Sequence, residues 1–124
     1  MAAPNIVNVS TITGITTGRA LTNTLTTALV VNTGSSGKAF KINTIIVSNV
    51  DGTNSFDATV VFYDAGGATN YHIAKLITIP AGTTLVVLGK DSPIYLEESD
   101  KITAYASAAS DGQIIISYEE MDDA

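Results

Sequence analysis

An all-β fold, an antiparallel β-sandwich of jelly-roll type with about eight strands, is predicted by three observations on this sequence. Apolar residues alternate with polar ones through most segments, the period of a half-buried strand. Turn signals built from Gly, Pro, Asn and Asp recur every 8–12 residues or so, the rhythm of sandwiches and barrels. No stretch shows a helical period that is not better read as strand, residues 15–28 being the one ambiguous place.

The elements follow in order. Residues 26–32, TTALVVN, are β-branched and stop at the turn TGSSGK. Residues 38–50, KAFKINTIIVSNV, alternate, with Phe40, Ile42 and Ile46 on one face and Lys41, Asn43 and Ile45 on the other. DGTNS then turns the chain, and FDATVVFYD (residues 56–64) runs to the loop AGGATN. YHIAKLITI (residues 71–79) places Tyr71, Ile73, Ile77 and Ile79 with Lys75 on one face, and the following Pro80 ends it because proline cannot donate to a ladder. TTLVVLG, IYLEE, KITAYASA and GQIIISYEE complete the set. The expected core is Phe40, Ile42, Ile46, Val60, Phe62, Ile77, Val87, Ile114 and Ile116.

Residues 1–23 differ in character, being rich in Thr and Asn with Gly14 and Gly18 as breaks. A disordered leader would not usually carry Ile6, Val7, Val9, Ile12 and Ile15, so an extended N-terminal arm is expected ahead of a sandwich domain over 24–124. Those five side chains need a surface, either their own domain or a neighbour. Lys38, Lys41, Lys75, Lys90 and Lys101 are too sparse to guard every sheet edge, so the arm is expected to lie along another subunit of a homo-oligomer, a trimer, as an added strand.

Composition narrows the function. Charged residues are 15% of the 124, against a usual ~25%, and Thr, Ser, Asn and Gly supply the polarity instead. Such a surface suits packing against other protein. The net charge of −6 argues against neutralising nucleic-acid phosphates and against docking on an anionic membrane. Without cysteine there is no disulfide or thiolate metal site. The N-terminus has neither a basic region nor a continuous apolar run, so no signal peptide is expected, and no apolar run approaches the ~18 residues of a membrane span.

Five places are candidates for chemistry. Glu97, Glu98 and Asp100 form the densest acidic group, but adjacent strand residues point to opposite faces, and Asp100 with Ser99 reads as a turn cap. The loop DGTNSFD spaces Asp51, Thr53, Ser55 and Asp57 like oxygen ligands, yet it departs from the EF-hand pattern and reads as a hairpin loop. His72 is the single histidine and has no partner pattern for zinc or a triad. DAGGATN lacks the glycine spacing of a phosphate loop, and EEMDDA reads as a solvated acidic tail. No catalytic residue, metal or cofactor is therefore expected, and the protein is not expected to be an enzyme.

From Lys38 to Glu120 the chain resembles small all-β structural proteins of tailed-bacteriophage virions. The resemblance rests on several stretches. They are the leading strands KAFKINTIIVSNVDGTNSFDATVVFYD, the Pro80–Gly82 bend, the short apolar strand after it, the spaced trio Leu96, Asp100 and Ile102, and the closing IISYEE. It implies a virion protein, assembled in the host cytoplasm, that decorates and cements the head by contact with copies of itself and with the major capsid protein. A neck or tail adaptor or fibre-associated protein of the same virion is the alternative. A carbohydrate-binding sandwich is a third, disfavoured by 6% aromatics and no Trp.

Overall fold

The computed structural model describes residues 8–23 and 28–122, and Ile6 and Val7 lie outside them. Every element among the described residues is a strand: β1 (Thr11–Ala20), β2 (Ala28–Val31), β3 (Lys38–Asn49), β4 (Phe56–Asp64), β5 (Thr69–Ile79), β6 (Thr84–Leu88), β7 (Ile94–Leu96), β8 (Lys101–Ala106) and β9 (Gly112–Asp122). They form two antiparallel sheets. The first runs β1-β9-β3-β6, with the short β7 also on β3, and the second runs β2-β8-β4-β5. With β7 set aside as an addition to that edge, this is the strand order of a jelly roll. The expected sandwich is therefore present.

The core lies between the sheets. Ile42, Ile45, Val47, Ile114 and Ile116 of the first sheet face Phe56, Ala58, Val60, Ile102 and Ala104 of the second, all at most 2% exposed. Phe40, Ile42, Val60, Ile114 and Ile116 are buried as predicted. Four of the predicted set are not. Ile46 faces outward because Asn43 is an extra residue in β3: Ile42 pairs Tyr118 while Thr44 pairs Ser117. That bulge shifts the phase, so Ile45 and Val47 turn inward instead. Val87 is the extra residue of a bulge in β6, half-buried, and Leu88 takes its place in the core. Ile77 lies on edge strand β5 beside Leu76, whose φ is +52°, and is 41% exposed. Phe62 is half-buried against the core.

The arm is also placed differently from the sequence reading. Residues 11–20 pair with β9 of the same chain along ten consecutive positions, from Thr11 opposite Asp122 to Ala20 opposite Gln113, with no shift of register. The reason is that β9 offers a matching eleven-residue edge, so the segment forms the first strand of the jelly roll itself. Leu21, just beyond it, is buried, and its N–H donates to the Gly112 carbonyl at 2.8 Å. Gly112 is required there: a Cβ would lie 2.6 Å from the Phe56 ring and 3.2 Å from Leu21.

Candidate functional site

The acidic turn lies between β7 and β8, where Ser99 takes a φ of +74° and Asp100 N–H returns to the Glu97 carbonyl. Glu97 is exposed, but Glu98 and Asp100 are buried, which the reading of a simple turn cap did not anticipate. They point to different partners. The Glu98 carboxylate accepts the Gly37 N–H at 2.6 Å. Asp100 accepts the N–H of Glu97 at 3.0 Å and of Ala65 at 2.9 Å, so it caps its own turn and also fastens the β4–β5 loop. Asn32, fully buried, completes the knot by donating to the carbonyls of Lys38 and Leu96, while its own oxygen accepts the Ser36 hydroxyl. The oxygens are consumed by the protein's own N–H groups. This is a structural clasp joining three loops at one end of the sandwich.

A second clasp closes the other end. Asn49 is 3% exposed, and its amide donates to the carbonyls of Asn54 and Ile79 while its oxygen accepts the Asp51 N–H. No motif marked Asn32 or Asn49 in the sequence; each follows a strand of apolar residues, which is the only signal. The cation-loop candidates separate. Asp51 accepts from Thr53 and Asn54 within the turn, and the Thr53 N–H chiefly holds its carboxyl below the ordinary range. Asp57 accepts the Thr78 hydroxyl at 2.7 Å, across the β4–β5 pair. Among the described residues no three His, Asp or Glu side chains converge as metal ligands. Every buried side-chain N or O atom described has a hydrogen-bond partner.

His72 is exposed on β5 opposite Val61. The glycines of DAGGATN form the β4–β5 turn, in which the Asp64 carboxylate accepts the Gly66 N–H. The acidic tail is a strand as far as Asp122: Met121 is buried, and Glu120 pairs with Lys38 at 3.1 Å, a half-buried pair that raises the lysine's pKa. Tyr118 stacks on Phe40 with ring centroids 5.4 Å apart, and burial, with Glu120 nearby, raises its pKa.

With these polar groups spoken for, surfaces remain. Pairing places Gly18, Ile115, Ile46 and Val86 in one row across the outer face of the first sheet. Ile115 is 42% and Val86 61% exposed. Hydroxyl rows flank it, Thr16 bonding Ser117 on one side and Ser48 bonding Thr84 on the other. Of the arm's apolar residues, Val9 and Ile15 are half-buried and Ile12 is 58% exposed.

No protein-family model matches the chain, and no curated protein matches it in sequence. Among solved structures, the chain is similar to one from Bacillus endospore appendages, described as a novel family of disulfide-linked pili. Identity is 15% and the TM-score 0.48, over 92% of this chain and 88% of that one.

Proposed function

We propose that this chain is a structural protein of a tailed-bacteriophage virion, a decoration protein that braces the head through protein–protein contacts. The observation that carries the reading is the outer face of the first sheet. An apolar row of Ile115, Ile46 and Val86 between rows of short hydroxyls is a flat, nearly uncharged surface, suited to lying on another protein. The jelly roll hosts many functions, so the virion setting rests on the resemblance of residues 38–120 and not on the fold. The proposal is tested by gold-labelled antibody and mass spectrometry on purified particles of the phage that encodes the chain. Label over the head surface in many copies is the expected result. Label confined to the neck or tail, or a chain absent from particles, overturns the decoration role.

A further inference from the structure

We infer that two copies of this chain join through the free edges of β1, in antiparallel register about a two-fold axis at Ile15, to make one continuous sheet. β1 ends its sheet, and among the described residues no strand pairs with its other side. The remaining edges are blunted. β5 carries two bulges and the left-handed Leu76, while β2, β6 and β7 are four, five and three residues long. β1 is ten residues long and in unbroken register, the one long straight edge.

Which groups face that edge follows from alternation. Leu21 N–H bonds the Gly112 carbonyl, so the odd residues of β1 direct their backbone to β9, and Ile12, Gly14, Thr16, Gly18 and Ala20 direct theirs outward. A two-fold antiparallel pair that bonds even residues to even residues is centred on Ile15 or on Thr16 if the strands overlap fully. Side chains choose Ile15. In that register Ile12, 58% exposed, stands opposite Gly18 of the second copy. Gly18 borders an open recess of about 360 Å³ together with Arg19, Ala20, Gln113, Ile114 and Ile115. Nothing inside the chain requires glycine at that position: its φ is ordinary, and a Cβ would meet nothing closer than 3.9 Å. A strand glycine of this kind often marks a place where another backbone or a ligand approaches closely, and here the recess beside Gly18 is what singles it out from Gly14. Pairing puts Ile12 of each copy into the recess of the other.

Charge favours the same register. β1 carries a single charge, Arg19, in a chain of net charge −6. The two-fold sets Arg19 beside Thr11 of the second copy, whose neighbour across β9 is Asp122, on the same face. The cation of each copy therefore comes within reach of an acid of the other. On that face Ile15 meets Ile15, and each is flanked by its own Tyr118. A register centred on Thr16 would set Ile12 against Ala20 and move Arg19 to Thr13, losing both matches.

The pair is made of two copies where the sequence alone suggested three, and it goes beyond the virion reading. It is measured on the purified chain, whereas the decoration role is measured on particles, so either can fail alone. Light scattering after gel filtration of the full chain should give a dimer; a monomer at about 100 µM, or a trimer, overturns the proposal. The chain lacks cysteine, so single-cysteine variants report the register directly. Facing residues of a non-hydrogen-bonded pair suit a disulfide, so Ile15→Cys should cross-link on mild oxidation while Thr17→Cys, four residues out of register with itself, should not. The reverse pattern overturns the register. Gly18→Val should fill the recess and weaken the dimer by roughly tenfold or more with an unchanged circular dichroism spectrum, whereas Gly14→Val should not. Equal dimerisation by both variants also overturns it.

Discussion

At the scale of single residues, the two clasps set what each substitution should do. Asp100→Ala strands two backbone donors that a carboxylate now serves, and should cost about 2–4 kcal/mol in urea denaturation. Glu98→Ala should cost about 1–3 kcal/mol, because Gly37 loses its acceptor, while Glu98→Gln keeps a carbonyl oxygen there and should cost less than about 1 kcal/mol. Equal losses for Gln and Ala would show that the charge matters and the hydrogen bond does not. Gly112→Ala should cost about 1–3 kcal/mol by pressing a methyl group into the Phe56 ring, read as a shift in the denaturation midpoint. Asp100 was legible in the sequence as a turn cap, since Ser and Asp side-chain oxygens just ahead of a strand readily accept turn N–H groups. Glu98 was not: its partner Gly37 lies 61 residues away, and no local pattern carries that distance.

At the scale of elements, alternation located eight strands and then misplaced side chains wherever a strand bulged. A period of two cannot show an inserted residue, because Asn43 and Val87 are ordinary strand formers or neighbours of them. The difference is measurable on adjacent isoleucines. Ile45→Ala should cost about 2–5 kcal/mol, since Ile45 is fully buried, and Ile46→Ala should cost under about 1 kcal/mol. The ranking expected from unbroken alternation is the opposite, so thermal melts of the two variants decide between them. The arm was legible as extended and apolar, but not as an integral strand, because its Thr-Gly composition gives no sign of which edge receives it. Removing residues 1–20 should leave β9 with a bare edge and Leu21 without its strand, giving a chain that is less stable and aggregates on concentration.

At the scale of the molecule, pH should act from both ends. Asp51 titrates below the ordinary carboxylate range when folded, so the fold binds fewer protons than the unfolded chain as pH falls. Its contribution is present above about pH 4 and is lost as pH drops through the folded value. Lys38 and Tyr118 are shifted upward, so the stability they supply is lost as pH rises beyond about 10. Denaturation midpoints across pH 2–11 or so should fall at both limits. Asp51→Asn should flatten the acid limb; an unchanged limb would assign it to other carboxylates.

The place of β9 has a consequence for how the protein comes into being. β9 lies between β1 and β3 and supplies the only described partner of β1, so β1, once it has left the ribosome, waits for Gly112–Asp122 before it can pair. At about 5–20 residues per second, some 90 residues of synthesis separate the end of β1 from the start of β9, a wait of roughly 5–20 seconds with β1 and one side of β3 unpaired. Topology therefore holds back completion of the first sheet until β9 has emerged, although β3 can pair β6 and β7 before then. Ribosome-bound chains arrested before Gly112 should be open to protease throughout β1, and protection should arrive in one step after β9 has emerged.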